Sequence, residues 1–332
     1  MPALTLPAST QSLIRMHAVR LENGAVSIVD VPVPHRAEGY ALLRLLCGGI
    51  CNTDLELQRG YYGFSGIPGH EFVAEVVETD THSLIGKRVV GEINFACHHC
   101  DWCRRELGRH CPNRTVLGIV NQPGAFEEYF TVPEHNLHIV PDNIPTERAV
   151  FTEPLAAACE ILDQVSIPPG ATVAVLGDGK LGLLVALVLN AHGYPVHQFG
   201  RHREKLRLAS AAGVNTEVAG DVLPTAAYDW VVEATGNPEA LRQAAAMTRP
   251  RGTLILKSTV HGLVGIDTAP IIVNELTLVG SRCGRFEASL PLLDQHLIRA
   301  EEMISARYRL REAPQAFARA AERGVLKVLL YP

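Results

Sequence analysis

The sequence predicts an α/β protein in two parts, a β-rich domain and a doubly wound parallel sheet. In the first half, short apolar segments are separated by frequent turns, which is typical of a small β-rich domain. From Ala171 onward, short apolar segments alternate with segments of helical spacing, which is the pattern of a doubly wound parallel sheet. A chain of 332 residues is long for one domain and suits two.

Composition and charge narrow the class of protein. The formal net charge is -5 with 20% charged residues, so nothing favours binding to nucleic acid or to an anionic membrane. No apolar run reaches the 18 residues of a membrane span, and residues 1–14 lack the basic start of a signal peptide. We therefore expect a cytoplasmic protein in which residues 1–15 form a flexible extension and Met16 is an alternative start.

The β-rich part is predicted from its first strands. Segments 17–21 and 26–29 are predicted strands around a turn at residues 22–24, and segment 40–47 is another strand. Helical spacing follows at residues 53–58, so Cys51 lies at a junction of strand and helix, where a thiolate is favoured. Cys47 lies within the apolar run and is predicted to be a buried core thiol.

A candidate catalytic metal site is centred on His70 and Glu71. The turn at Pro68-Gly69 places these two side chains at the start of an alternating apolar strand. Alone, such a pair is more often a surface pair or a core histidine than a metal site. With Cys51 upstream and Glu153 downstream, it gives a thiolate, an imidazole and carboxylates, a ligand set that suits a catalytic zinc.

Four of the eight cysteines are crowded into one short segment, which indicates metal binding rather than disulfides. They follow the pattern C-x2-C-x2-C-x7-C, at Cys97, Cys100, Cys103 and Cys111. An iron–sulfur cluster is the alternative, but its last gap is usually three residues rather than seven. Four thiolates at this spacing favour a structural zinc in a single lobe.

The second part begins with a glycine-rich loop between an apolar strand at residues 171–176 and a helix that ends at Gly193. In that context the G-x-G-x-x-G pattern predicts a site where backbone N–H groups face a dinucleotide pyrophosphate. The alternative is a glycine-rich turn that binds nothing. The predicted cofactor-binding loop is Gly177, Asp178, Gly179, Lys180, Leu181 and Gly182.

Together these motifs resemble the zinc-containing medium-chain dehydrogenase/reductase family, with its alcohol, polyol and threonine dehydrogenase members. The resemblance covers nearly the whole chain from about Met16 to Pro332. It implies a GroES-like catalytic domain formed by residues 1–153 and 279–332, and a Rossmann domain formed by residues 154–278. It also implies two zinc ions per chain, a homodimer or homotetramer, and a small-molecule alcohol or carbonyl substrate.

The resemblance also implies roles for individual residues. Cys51 and His70 match the catalytic zinc ligands, with Glu71 and Glu153 as further ligands or neighbours of the zinc, while Thr53 takes the proton of the alcohol. Asp54 matches an aspartate that orients the zinc-bound histidine. One departure is that Glu56 stands where liver-type members end the proton relay on a histidine.

The implied reaction is reversible hydride transfer between an alcohol (primary, secondary or polyol) and a nicotinamide cofactor. The glutamate at position 153 favours the polyol- or sugar-type members of the family. Two alternatives are a zinc-independent quinone or enoyl reductase, which would lack the zinc ligands, and a non-enzymatic module that binds zinc and dinucleotide on the same fold.

The end of the second predicted strand bears on the choice of cofactor. NAD-binding Rossmann units usually carry Asp or Glu there, accepting hydrogen bonds from the adenine ribose. This chain has Gly200, followed by Arg201 and His202. A guanidinium at this place suits a 2′-phosphate, so we predict NADP(H) over NAD(H). The alternative is a polar loop that accepts either cofactor.

Overall fold

The computed structural model describes residues 15–220, 222–259 and 265–332, which form two compact units. One unit contains the chain up to Glu153 together with Ile304–Pro332, and the other is Pro154–Met303. The boundary predicted between residues 278 and 279 is wrong, because it falls inside a strand, Thr277–Gly280, that belongs to the sheet of the second unit. The expected extension lies outside the described residues except for Arg15, which begins the first strand.

The first unit is mainly β-structure. Its strands are β1 Arg15–Glu22, β2 Ala25–Pro32, β3 Tyr40–Ile50, β4 Glu71–Glu78, β5 Arg88–Gly91, β6 Asn94–Phe95, β7 Thr115–Val116, β8 Tyr129–Pro133, β9 Leu137–Ile139, β16 Ile304–Arg309 and β17 Lys327–Tyr331. Its helices are Asn52–Gln58, Asp101–Arg104, Thr146–Ala149 and Ala313–Ala320, and the helix Thr152–Gln164 begins in it. Alternating apolar side chains bury one face of these strands.

Strand β3 is the centre of the seven-stranded sheet in this unit. The order is β16-β17-β3-β4-β5-β9, and β8 also pairs with β3. Near its end, β3 carries Gly48 and Gly49, and Gly49 pairs with Glu71 of β4 on one side and Leu329 of β17 on the other. The two neighbouring strands therefore bring their side chains to the same place, beside a residue that has none.

The second unit contains a six-stranded parallel sheet. Its strands are β10 Val173–Leu176, β11 Val196–Gly200, β12 Asn215–Val218, β13 Tyr228–Glu233, β14 Thr248–Leu256 and β15 Thr277–Gly280. The order β12-β11-β10-β13-β14-β15 is that of a Rossmann fold, with the topological switch point between β10 and β13. Ligands bind at such a point, so the loop after β10 is the expected place for a dinucleotide.

Helices of the second unit cover the sheet. They are Lys180–Ala191, Arg203–Ala211, Pro238–Met247, Ala269–Val273 and Phe286–Asp294. The four residues of β10 are all buried, as expected for a central parallel strand. The helix Pro238–Met247 begins at Asn237, whose side chain accepts the N–H of Glu239 at 3.1 Å and caps the first turn. The start of the helix Pro238–Met247 is therefore determined by its local sequence, whereas β10 is determined by the burial of its side chains.

In segment 124–139, β8 and β9 are separated by a short 3-10 turn at Glu134–Asn136. The tail from residue 285 combines the helices Phe286–Asp294 and Ala313–Ala320 with β16 and β17. Strand β17 returns to the first unit by pairing with β3, and such long-range pairing is not visible in an apolar run of six residues. Among the described residues, no helix is long and apolar enough to cross a membrane.

Candidate active site

Three of the predicted zinc ligands converge in the first unit. Cys51 follows β3 and is the N-cap of the helix Asn52–Gln58, while His70 and Glu71 lie at the start of β4. Their ligand atoms all lie within 4.8 Å of one another. His70 and Glu71 are buried and Cys51 is half-buried, so the group has one partly open side. This donor set of thiolate, imidazole and carboxylate is one that zinc accepts.

Asp54 organises the neighbours of this group. One carboxylate oxygen, Oδ2, accepts the Cys51 N–H at 2.8 Å, and Oδ1 accepts the Gly69 N–H at 3.3 Å. His70 Nδ1 lies 3.4 Å from Oδ1. Burial alone would lower the pKa of His70, but Asp54 and Cys51 outweigh it and raise the pKa well above its usual value. Asp54 therefore lies beside the Nδ1 edge of the imidazole, the place that a carboxylate takes in carboxylate–histidine–zinc sites.

Glu71 is held by a residue that the sequence analysis missed. Its Oε2 forms a buried ion pair with Lys327 Nζ of β17, and both side chains are only 1% exposed. A Cβ on Gly49 would lie 2.6 Å from Glu71 Oε2, so glycine at this position makes room for the pair. Glu71 Oε1 is buried and has no hydrogen-bond partner among the described residues. A buried acceptor of this kind beside a thiolate and an imidazole is consistent with a cation site.

Thr53 and Glu153 occupy different positions relative to this group. The Oγ1 of Thr53 lies 3.8 Å from Cys51 Sγ, so the hydroxyl is adjacent to the first predicted ligand. Glu153 is in the first turn of the helix Thr152–Gln164, and it is not among the residues whose ligand atoms converge within 4.8 Å. Burial lowers the pKa of Lys327, but the charges of Glu71 and Cys51 outweigh it and raise the pKa overall. The charge of Glu153 makes a smaller contribution in the same direction. Glu153 therefore lies close enough to influence the site electrostatically.

The four clustered cysteines form a compact group in the first unit. Four of the six distances between their sulfur atoms are 3.5–4.0 Å, and all four atoms lie within 4.8 Å of one another. A tetrahedron of thiolates around zinc has edges of about 3.8 Å for Zn–S bonds of about 2.3 Å. The backbone N–H of His99 lowers the pKa of Cys97 to about 5, whereas burial and the neighbouring thiols raise the pKa of Cys103 to about 12. His98 and His99 are both exposed, and His98 Nε2 lies 2.7 Å from His135 Nε2.

The glycine loop of the second unit has the geometry of a dinucleotide loop. Gly177 has φ +128°, and a Cβ there would lie 2.5 Å from the carbonyl oxygen of Ala234. A Cβ on Gly182 would lie 2.5 Å from Gly177 O, so this glycine lets the helix start pack closely on the loop. Nothing lies within 4 Å of a Cβ on Gly179, which leaves the backbone open to a pyrophosphate. The helix Lys180–Ala191 begins immediately afterward.

The end of β11 differs from the sequence expectation in one respect. No carboxylate stands at position 200, but the carboxylate of Asp178 lies against Gly200 instead. Asp178 Oδ2 accepts the backbone N–H of His202 at 2.6 Å and contacts His202 Nδ1 at 2.9 Å. No local sequence pattern predicts this contact, because Asp178 and His202 come from different loops. Arg201, between Gly200 and His202, is exposed.

Comparisons with known proteins agree with this geometry. The family described as "Alcohol dehydrogenase GroES-like domain" matches residues 37–142, and "Zinc-binding dehydrogenase" matches residues 181–296. D-Altritol 5-dehydrogenase of Agrobacterium fabrum is 30% identical, covering 80% of this chain and 84% of its own. D-Arabitol-phosphate dehydrogenase of Enterococcus avium is 28% identical, covering 92% and 93%.

Solved structures give the same result. A zinc-binding dehydrogenase from Sinorhizobium meliloti 1021, crystallised with NADP, has a TM-score of 0.87 and 30% identity and covers 96% of this chain and 100% of its own. Alcohol dehydrogenase TADH from Thermus sp. ATN1 has a TM-score of 0.86 and 29% identity, covering 96% and 99%. This chain therefore belongs to the zinc-containing medium-chain dehydrogenase/reductase family. It is an alcohol dehydrogenase-like oxidoreductase that uses zinc and a nicotinamide cofactor.

Proposed function

We propose that this enzyme interconverts a polyol or sugar-derived alcohol and its carbonyl product, with NADP(H) as the preferred cofactor. The observation that carries the proposal is the convergence of Cys51, His70 and Glu71 within 4.8 Å, at a site with one partly open side. A zinc-independent reductase or a non-catalytic binding module would leave this convergence of buried ligands without a purpose.

The first unit provides residues for two zinc ions. Cys51 and His70, with Glu71 or Glu153, would hold the catalytic ion, and Cys97, Cys100, Cys103 and Cys111 would hold the structural one. The catalytic zinc supplies Lewis acidity that lowers the pKa of an alcohol. Thr53 is the acceptor for the proton so released, because its hydroxyl lies next to Cys51 Sγ. Asp54 keeps His70 and the Cys51 backbone in place during that step.

The onward path of the proton does not follow the liver-type relay. Glu56, which stands in place of the relay histidine, is paired with Arg59, with Arg59 Nη1 2.6 Å from Glu56 Oε1. The Glu56 side chain is 21% exposed, so a proton that reaches it has contact with solvent. We propose that Thr53 passes the proton outward through water rather than through a histidine.

The substrate class rests on the relatives and on Glu153. The relatives include a D-arabitol-phosphate dehydrogenase, a sorbitol dehydrogenase, a D-altritol 5-dehydrogenase and an erythritol/L-threitol dehydrogenase. L-Threonine 3-dehydrogenases are also among them at 30–31% identity, so an amino alcohol is the second candidate. Glu153 supports a polyol, because a carboxylate near the zinc hydrogen-bonds hydroxyl groups next to the reacting carbon.

The NADP preference rests on the end of β11. Gly200 places no side chain toward the ribose, and Arg201 supplies a guanidinium suited to a phosphate. The Sinorhizobium meliloti structure that is 30% identical contains NADP, which supports the proposal. A hydrogen bond from Arg201 of about 1.5–3 kcal/mol corresponds to a preference of roughly 10–150-fold. The protein is further proposed to be a cytoplasmic homodimer or homotetramer, as is usual in the resembling family.

One experiment tests the proposed function. The purified protein is assayed on a panel of pentitols, hexitols, their phosphates, simple alcohols and L-threonine with NADP and with NAD, alongside elemental analysis. We expect the highest kcat/KM on a polyol with NADP, two zinc ions per chain, and a smaller NADP preference in Arg201→Ala. Highest activity on L-threonine, or a preference for NAD, would contradict the corresponding part of the proposal.

A further inference from the structure

The contact between Asp178 and His202 suggests a role for a carboxylate in selecting the cofactor. Hydrogen bonds from both backbone and side chains join the glycine loop to the end of β11. Gly177 N–H donates to Phe199 O at 2.8 Å, Gln198 Nε2 donates to Gly177 O at 2.8 Å, and His202 N–H donates to Asp178 Oδ2 at 2.6 Å. The last of these is the only one of the three that involves a charged side chain.

Gly200 is the residue that makes this arrangement possible. A Cβ at position 200 would lie 2.5 Å from Asp178 Cβ and 2.8 Å from Asp178 Oδ2. Since such distances are far below ordinary contact, any side chain here would displace the aspartate. The φ of Gly200 requires no glycine, so space alone explains the residue. The carboxylate at this place therefore comes from the glycine loop and not from the end of β11.

The carboxylate of Asp178, in the glycine loop, is hydrogen-bonded to the imidazole of His202, which follows β11. Asp178 Oδ2 lies 2.9 Å from His202 Nδ1, and a carboxylate accepts but does not donate, so Nδ1 carries the proton. The imidazole is thereby fixed at one edge, and a phosphate would meet it through Nε2. The side chains are 11% and 19% exposed, so the pair is largely shielded from water, where such contacts are strongest.

We propose that Asp178 is a positioning residue that holds His202 to bind the 2′-phosphate of NADP, rather than a ribose ligand that selects NAD. When phosphate and carboxylate lie on opposite sides of the ring, each accepts a hydrogen bond from a different ring nitrogen. The negative charge of Asp178 is then directed at the ring and not at the phosphate. This inference rests on the proposed NADP preference and explains how a loop that contains an aspartate tolerates an anion.

The test measures binding without turnover. Isothermal titration calorimetry gives dissociation constants of 2′,5′-ADP and of 5′-AMP, two probes that differ by the 2′-phosphate alone, for the full-length zinc-loaded protein. In Asp178→Ala, the affinity for 2′,5′-ADP is expected to fall roughly tenfold, the size of one charge-assisted hydrogen bond, with little change for 5′-AMP. Asp178→Asn should retain most affinity, since its amide oxygen accepts the same two N–H groups.

The matched control is Glu204→Ala, which removes a negative charge from an exposed residue two positions after His202. If charge alone mattered, both Asp178→Ala and Glu204→Ala would strengthen 2′,5′-ADP binding. Positioning instead requires that Asp178→Ala weakens it and Glu204→Ala does not. In His202→Ala, further loss of Asp178 should have no effect on the ratio of the two constants, because the two residues act as one unit.

Gly200→Ala is a second route to the same answer, since the added methyl displaces the aspartate without removing it. It should reproduce the loss of 2′,5′-ADP affinity seen in Asp178→Ala. The inference is overturned if Asp178→Ala binds 2′,5′-ADP more tightly, if it weakens both probes alike, or if its effect adds fully to that of His202→Ala. A wild type that binds the two probes equally would overturn the NADP preference itself, and with it this inference.

Discussion

At the scale of single residues, the first unit places a buried lysine against a predicted zinc ligand. Lys327 has its charge compensated by Glu71, and both are 1% exposed. Burying either charge alone is costly, so the two depend on each other. Glu71 is therefore restrained from moving freely onto or away from a metal, and Lys327 sets how much negative charge the metal experiences.

Replacing Lys327 by methionine should reveal that dependence. The variant leaves the Glu71 carboxylate buried without a cation, so zinc-free Lys327→Met should lose about 3–5 kcal/mol of stability in urea unfolding. Added zinc should restore part of the loss, because the ion compensates the same carboxylate. Lys87→Met, at an exposed position of the same unit, is the control and should change stability little. A Lys327→Met protein as stable as that control would disprove the coupling.

Thr53 provides a second test at this scale. Removing its hydroxyl in Thr53→Ala should lower kcat by about 10²–10⁴, the usual contribution of a positioned proton-transfer group. Thr53→Ser keeps the hydroxyl and should keep most of the activity. Zinc content and cofactor affinity should be unchanged in both variants, which separates proton transfer from binding. Equal turnover in Thr53→Ala and wild type would remove Thr53 from the mechanism.

At the scale of elements, the last two strands are fastened to the helix Thr146–Ala149 through one carboxylate. Glu147 accepts two hydrogen bonds from Arg307 of β16, at 2.7 and 2.6 Å, and one from Tyr331 of β17 at 2.5 Å. Arg307 chiefly, with Tyr331, lowers the pKa of Glu147 from 4.5 to about 2. The carboxylate thus joins three elements that are distant in sequence.

This contact should make stability depend on pH at the acid end. Because the pKa of Glu147 is lowered by folding, its contribution is complete above pH 4.5 and is lost as the pH falls toward 2. The side chain is 36% exposed, so solvent screening limits the contribution to about 1 kcal/mol. Glu147→Gln should be less stable than wild type at pH 7, and the difference should shrink as the pH falls. A difference that stays constant with pH would contradict this assignment.

The elements also show how far sequence reasoning reaches. The strand–loop–helix at residues 173–191 and the approach of Cys51 to His70 follow from short local patterns, so they were predictable. The strand β17 and the pairing of Lys327 with Glu71 depend on register between distant segments, which one sequence does not encode locally. One signal existed, since a lysine that interrupts the apolar run at residues 325–330 requires a buried partner.

At the scale of the whole molecule, the two ligand groups should respond differently to substitution. Cys51→Ala should abolish turnover, reduce zinc to about one ion per chain and leave stability nearly unchanged. Cys100→Ala should remove the other ion and cost roughly 3 kcal/mol or more of stability, because a structural zinc contributes folding energy directly. Elemental analysis and thermal unfolding of both variants check this, and iron in the protein, or full activity with one zinc, would refute it.

The pairing of Lys327 with Glu71 has a consequence for biosynthesis. The two residues are 256 positions apart in the chain. A ribosome therefore completes the early strands and the entire second unit before it makes the cation that neutralises Glu71. Until then the nascent sheet lacks its partner strand beside β3, and contacts between such distant segments form slowly. The first unit therefore reaches its final stability only after β17 has left the ribosome.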